Sequence, residues 1–424
     1  MPGAVTGRTA RLRALLALVA LLSGCGGCDQ VPNSAITQCQ AEVHIGSAAT
    51  DILFVIDESG SMAEEQEALR VSLGGFVDEL ALSPNDFRIG VVTTSVSTWD
   101  PSMPGEYTAG PNACPGGGAC TVTPYPKGAI VAIERDGTGA AIPGKLWWAP
   151  PDQWLGPRFL DHGSTTLVPD FEGNVQLGTD GSGKEEPLRA ARLALSDRIT
   201  DGTNAGFLRS GARLAVVILT DEDDCSDSAG NLPPSASAGQ AACHDPTTKF
   251  DGSLDDLDDL VTFLQGPIAG EARDPIVAVI AGFDLDSLAA TGCPTSYDSP
   301  TRLDSLLAKI GPDNSFKDSI CRADYSDTLD RLANLLVPQT LPLEGELPDP
   351  RMLAVSVHKV LGSATCPQGC TVPCPAVLAG STGADAAPAV YTPGSGSTPA
   401  TLTFQNECVL EPGDRVDVRI VCAG

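Results

Sequence analysis

Apolar and polar positions keep one rhythm along most of this chain. Ile52 to Ile56 is continuously apolar, which predicts a central strand covered on both faces rather than a half-exposed one. From Met62 to Leu80, the residues Leu69, Leu73, Phe76, Val77 and Leu80 fall at helical spacing. A second strand is expected over 88–93, a helix over 185–195 and a buried strand over 214–219. Leu254, Leu257, Leu260, Val261 and Leu264 mark a further helix. After it come a strand over 275–281, a helix over 302–310, a short edge strand over 315–320 and a closing helix over 325–336. Strand and helix in alternation predict a doubly wound α/β fold with a mostly parallel sheet flanked by helices.

Two stretches depart from that rhythm. Residues from about 97 to 170 hold Trp99, Trp147, Trp148 and Trp154, many Pro and Gly, and weak strand signals such as 129–133. A loop that long inside a domain is either an ordered insertion or disordered. Clustered aromatics and the nearby Cys114 and Cys120 favour at least partial order. Beyond residue 345, the segments 352–360, 401–404 and 416–420 alternate with period two. A Gly/Ser/Ala/Pro-rich stretch fills 380–399, and Glu411-Pro412-Gly413-Asp414 is a turn signal. These features predict a small β module over 345–424, which at about 80 residues needs disulfide staples or the support of the larger domain.

Composition narrows the function. The 424 residues carry 26 Lys+Arg against 54 Asp+Glu, a formal charge of −28. A surface this acidic repels phosphate backbones and argues against nucleic-acid binding. The amino-terminal end adds a compartment. Arg8, Arg11 and Arg13 precede an uninterrupted apolar run from Ala14 to Leu22. That run suits a secretory signal and falls short of the roughly 20 residues a spanning helix needs. It leads into Leu22-Ser23-Gly24-Cys25, which resembles the bacterial lipobox. The resemblance implies a signal peptide over 1–24, an acylated Cys25 as lipid anchor and a tether over 25–47. Gly26 after the cysteine favours the outer membrane over the inner, so the expected location is the cell envelope. Losing three arginines with the signal leaves the remainder more acidic still.

Export changes the reading of the cysteines. In an oxidising compartment, most of the 14 should be disulfides once Cys25 is set aside. Cys114 and Cys120 flank a short Pro-Gly-rich loop, while Cys225/Cys243 and Cys293/Cys321 bracket longer ones. Connectivity stays open at this stage. An odd number remains, with Cys28 the candidate for the unpaired thiol. Cys366, Cys370 and Cys374 with Cys408 and Cys422 resemble a zinc framework only loosely, because the spacing is not the paired C-x2-C of a ribbon.

The constellation with chemistry is Asp57-Glu58-Ser59-Gly60-Ser61, directly after the most apolar strand. Side chains at the carboxyl end of a central strand project into the crevice where such sheets bind ligands. One carboxylate and two hydroxyls at alternate positions are hard oxygen donors suited to Mg²⁺, alternatively Mn²⁺ or Ca²⁺. With Val217-Ile218-Leu219-Thr220-Asp221 further on, the chain resembles a von Willebrand factor type A (VWA) domain carrying a metal-ion-dependent adhesion site. The resemblance spans about 48–340. It implies Asp57, Ser59, Ser61 and Asp221 as metal ligands, joined by a hydroxyl from Gly178-Thr179-Asp180-Gly181-Ser182-Gly183. Spacing from the following helix selects Ser182, with Thr179 as the alternative. The family's Gly after the last Asp is replaced by Glu222-Asp223-Asp224. That cluster reads as a solvated acidic loop, or as a source of one more carboxylate for the metal.

Such a site leaves the cation partly uncompensated, so an acidic residue of a partner protein can complete its coordination. The expected function is a membrane-anchored, surface or periplasmic, metal-dependent protein-binding module of adhesion type. The alternative is an envelope structural or assembly protein whose metal only stabilises the fold. Catalysis lacks a motif: Gly178-x4-Gly183-Lys184 is followed by Glu185 where a P-loop needs Ser or Thr, and no G-x-S-x-G elbow is present. A metal-assisted hydrolase would have to draw its base from Glu58 or Glu222, and no enzyme is expected.

Overall fold

In the computed structural model the described residues are 41–42, 48–82, 85–96, 128–135, 138, 141–147, 157–179, 181, 183–232, 242–273, 275–343, 353–361, 363, 366–396 and 398–420. The chain enters with a two-residue strand, β1 (Ala41–Glu42), followed by β2 (Ala48–Ile56), α1 (Ala63–Leu82) and β3 (Asn85–Thr93). The interrupted region supplies a hairpin, β4 (Ala132–Arg135) with β5 (Ala141–Trp147), and a short strand, β6 (Leu160–Asp161). Helices α2 (Leu167–Asn174), α3 (Pro187–Leu195) and α4 (Asp197–Thr200) lead to β7 (Arg213–Leu219). Then come α5 (Leu257–Gln265), β8 (Ile276–Ala281), α6 (Thr301–Ile310), β9 (Ser315–Ser319) and α7 (Ser326–Leu336).

Six of these strands form one sheet in the order β6-β3-β2-β7-β8-β9, parallel throughout except for β6 on the β3 edge. The apolar run of β2 is buried on both faces, as its lack of alternation predicts. Ile52, Phe54 and Ile56 pack with Leu69, Phe76, Phe171 and Leu329, from α1, α2 and α7. Leu53 and Val55 pack on the opposite face with Leu188, Leu260, Leu303 and Leu306, from α3, α5 and α6. The result is a mixed α/β domain whose parallel-rich sheet has helices on both sides. Among the described residues no helix is long and apolar enough to cross a membrane.

The described part of the insertion joins the sheet at 129–133, the stretch with a weak strand signal. Ala129 to Ala132 are fully buried, and the Val131 amide donates to the Val91 carbonyl at 2.9 Å, so the chain returns along β3 before the hairpin begins. Trp99, Trp148, Trp154, Cys114 and Cys120 lie outside the described residues.

The remaining strands build a sandwich: β10 (Thr340–Pro342), β11 (Leu353–Leu361), β12 (Gln368–Pro373), β13 (Ala376–Leu378), β14 (Ala389–Thr392), β15 (Thr401–Phe404) and β16 (Arg415–Ile420). They pair in two four-stranded sheets, β1-β16-β11-β12 and β10-β15-β14-β13. Inward residues such as Leu341, Val357, Tyr391, Leu402 and Val418 fill the space between. The sandwich draws on more than the expected 345–424. β1 comes from the segment read as a tether, and β10 begins where the α/β region was expected to end. The low-complexity stretch contributes β14, where Ala389 and Tyr391 are buried.

Disulfides join Cys225 to Cys243 and Cys293 to Cys321, the pairs that bracket loops in the sequence. Cys366–Cys370 and Cys374–Cys408 staple the sandwich, so those four sulfurs are not zinc thiolates.

Candidate metal centre

Strand order places the site. The chain leaves β2 for β3 on one side and returns to β7 on the other, so the loops after β2 and β7 diverge over a crevice at their carboxyl ends. The Asp57 amide donates to the Leu219 carbonyl at 2.9 Å, the last rung between the two strands. Asp57 is fully buried. Its Oδ1 accepts from the Ser59 amide at 2.7 Å and its Oδ2 from the Thr220 hydroxyl at 2.7 Å. The Ser59 and Ser61 hydroxyls lie 3.1 Å apart, and Ser61 Oγ donates to Asp221 Oδ1 at 3.1 Å. Asp57, Ser59, Ser61 and Asp221 therefore converge from two neighbouring strand ends. Gly60 and Ser61 are exposed, so the cluster opens to solvent there.

The third loop is brought in by two contacts. The Gly181 amide donates to the Glu58 carbonyl at 2.9 Å, and a Cβ at Gly181 would stand 2.2 Å from Glu58 Cγ. Only glycine allows that approach. Gln66, one turn into α1, donates to the carbonyls of Asp57 at 2.9 Å and Gly178 at 2.8 Å and accepts from the Gly178 amide. Thr179 lies on this loop, with its carbonyl near Gly60; Ser182 lies outside the described residues. Thr220 and Gln66 were not singled out in the sequence. Thr220 had a signal, since it directly precedes Asp221; Gln66 had only its place on the buried side of an amphipathic helix.

Burial pushes four carboxyls here the same way. Burial, and then the nearby Glu222, raise Asp57 to about 7, against the hydrogen bonds from Ser59 and Thr220. Glu58 is raised to about 8 by burial, despite hydrogen bonds from Ser95, Thr93 and Thr94. Burial and the Asp57 charge take Asp221 to about 7. Glu185, whose Oε2 accepts from Thr94, is held well above the carboxylate range by burial and by Asp57, Glu222 and Glu58. Among the described residues, Asp221 Oδ2, Glu58 Oε2 and Glu185 Oε1 are buried without a hydrogen-bond partner. Buried carboxylates lacking a counter-charge are costly, and a cation is the species that would relieve them. No three His, Cys, Asp or Glu side chains among the described residues are arranged to share one ion. A cation here would rest on Asp57 and Asp221 plus hydroxyls, a hard, oxygen-only donor set.

Glu222, Asp223 and Asp224 are not a solvated loop: all three are buried. Asp223 accepts from the amides of Arg302 and Leu303 and the hydroxyl of Thr301, capping α6, and pairs with Lys249 at 2.9 Å. Asp224 accepts from the Leu188 amide at 3.2 Å in the first turn of α3 and pairs with Arg302 at 3.2 Å. Helix amino termini offer unpaired amides, and these two carboxylates answer them. Glu222 alone stays beside Asp57 and Glu185, and it lies 3.4 Å from His244 Nε2. His244 also contacts Asp298 at 2.8 Å; burial disfavours its charge, but these two partners win and raise it to about 9.

No protein-family model matches the chain, and no curated protein matches it. Similar solved structures include a von Willebrand factor type A protein from Catenulispora acidiphila, at 12% identity and a TM-score of 0.32, covering 89% of this chain and 59% of that one. The pilus adhesin SpaC from Lactobacillus rhamnosus GG, in an open conformation, gives 12% identity and a TM-score of 0.38, covering 88% and 38%. Proximal thread matrix protein 1 from the mussel byssus gives 11% and 0.34, covering 70% and 50%. The chain spans less than two thirds of each. The fold rests on the strand order of the sheet.

Proposed function

We propose that this chain is a lipid-anchored binding module of the bacterial envelope, more specifically of the outer membrane, that grips a protein partner through a divalent cation, Mg²⁺ or alternatively Mn²⁺ or Ca²⁺. One observation carries the reading. Two carboxylates and two hydroxyls, Asp57, Ser59, Ser61 and Asp221, meet at adjacent strand ends beside a solvent opening. Asp57, Ser59, Ser61 and Asp221 would hold the ion, with Ser182 or Thr179 supplying a further hydroxyl. The cation supplies a positive centre that an acidic side chain of the partner completes. Thr220 orients Asp57, and Gln66 fixes the third loop.

Display supports the same reading. β2 starts at Ala48, which packs against the sandwich core, and runs nine residues to the site. That is roughly 30 Å of strand at about 3.3 Å per residue. An anchor at Cys25 precedes β1, on the sandwich side, and leaves the site at the far end. The test is capture of envelope proteins on the immobilised chain in Mg²⁺, in EDTA and with Asp57→Ala. Binding that needs both the ion and Asp57 supports the proposal, and binding retained by the folded variant overturns it. For the anchor, Cys25→Ser should release the protein from membranes; continued sedimentation with them overturns lipidation.

A second reading, that the cation only stabilises the fold, is favoured by one feature: Asp57, Asp221, Glu58 and Glu185 are all buried and raised together. A melting temperature that falls in EDTA, with no ion-dependent partner, would select it.

A further inference from the structure

Helices α1 and α7 both start at the end of the sheet where Asp57 lies, and a groove of about 720 Å³ runs between them. It begins beside the metal centre: Ala63 lines it, just after Ser61, whose hydroxyl bonds Asp221. From Ala63 the groove follows α1 past Glu64, Glu67 and Ala68 to Val71, with Ala323 and Asp324 on the α7 side. Ser72 ties the two walls together at the far end. It accepts from the Tyr325 amide at 3.2 Å and donates to the Ala68 carbonyl at 2.9 Å.

Surface chemistry sets this groove apart. Val71 is 67% exposed, the highest value for a large apolar side chain among the described residues. It is not isolated, because Ala63, Ala68 and Ala323 line the same groove. An exposed apolar strip with a polar rim marks a surface that takes hold of another protein. The rim here is acidic: Glu64, Glu67 and Asp324 are all exposed along it. Arg70 offsets Glu67 at 2.6 Å, and no Lys or Arg among the described residues lines the groove itself. An excess of negative charge therefore borders the strip.

That charge constrains a partner, given the cation reading on which this step rests. A partner carboxylate that completes the ion would come close to these acids, which repel it. A base further along the same partner segment turns the repulsion into attraction, and the apolar strip beyond can take an aliphatic side chain. The dimensions agree. Ala63 to Val71 spans roughly 12 Å of helix at about 1.5 Å per residue, which an extended segment covers in about four residues. We propose that the groove between α1 and α7 receives an extended segment of the partner protein. Its acidic residue completes the cation, and within about four residues of it a Lys or Arg meets Glu64 and an aliphatic side chain covers Val71.

The test uses random dodecapeptides displayed on phage, panned on the immobilised full chain in saturating Mg²⁺ and released with EDTA. Peptides that also bind Asp57→Ala are discarded. The recovered sequences should carry Asp or Glu with a Lys or Arg and an aliphatic residue within about four positions of it. For a synthetic peptide of that pattern, Glu64→Lys should weaken binding about five- to tenfold, and exchanging the peptide's base for Glu should restore binding to that variant. Val71→Ser should weaken it about fivefold. Cation-dependent peptides without enrichment in basic residues, or a peptide indifferent to both variants, overturn the groove and leave the cation reading standing. If EDTA releases no peptide, both fall.

Discussion

The Thr220 hydroxyl donates to Asp57 Oδ2 at 2.7 Å, linking the ends of two adjacent parallel strands. Asp57 Oδ1 is already taken by the Ser59 amide. The orientation of the carboxylate is thus set by the chain itself. Partners that orient a ligand in this way typically contribute 10- to 100-fold to metal affinity. Thr220→Val keeps the volume but removes the donor, and also removes the acceptor of the Glu222 amide. We expect a loss of about 1–3 kcal/mol in urea unfolding and a drop of about 10- to 100-fold in Mg²⁺ affinity by calorimetry. Unchanged affinity would mean that Thr220 does not position the ligand.

Gly181 tests the third loop. A methyl there would meet Glu58 Cγ at 2.2 Å and the Glu58 carbonyl at 2.7 Å, and the second contact is backbone that cannot swing aside. Gly181→Ala should displace the loop bearing Thr179 and Ser182. The expected result is about 1–3 kcal/mol of destabilisation together with weakened cation binding. Gly60→Ala, whose nearest neighbour is the Thr179 carbonyl at 3.9 Å, serves as the mild control.

The fold's outline was legible because β2 and β7 are too apolar to be anything but central strands, and parallel strands buried on both faces leave no alternation to misread. Asp57, Ser59, Ser61 and Asp221 were legible for a related reason: each follows such a strand within a few residues. What stayed hidden depends on distance in sequence. Gln66 reaches Gly178 across 112 positions, and no local pattern reports that. Glu222, Asp223 and Asp224 looked solvated because three successive acids usually are. The burial of Asp223 and Asp224 follows from two helix amino termini, those of α6 and α3, that only the tertiary fold brings to them. β1 escaped because two residues carry no period.

That burial gives a third prediction. Asp223 pairs with Lys249, itself buried, and receives three donors from the start of α6. Asp223→Ala would leave Lys249 to Asp298 and the Ser299 carbonyl and would uncap a helix, so thermal and urea unfolding should show about 1–3 kcal/mol of destabilisation. Asp223 offers nothing to the proposed ion, so the variant that remains folded should bind Mg²⁺ with near-normal affinity. A selective loss of affinity would instead make the acidic run part of the metal site.

The last prediction concerns pH. Asp57 and Asp221 are raised to about 7 and Glu58 to about 8 in the folded chain, while unfolded carboxylates titrate near 4. Between those values the folded state holds protons that the unfolded state has released. Stability without cation must therefore fall as pH rises from about 4 through 8, because the unfolded state binds fewer protons over that window. A divalent cation replaces the protons as counter-charge, so its stabilising effect should be small near pH 5 and large near pH 8, with protons released on binding. Melting curves in EDTA and in Mg²⁺ across this range check both halves. A metal-free melting temperature that rises from pH 5 to 8 would show that these three carboxyls are not buried together without a counter-charge. A fall in EDTA that Mg²⁺ does not reverse would keep the pocket but remove the cation from it.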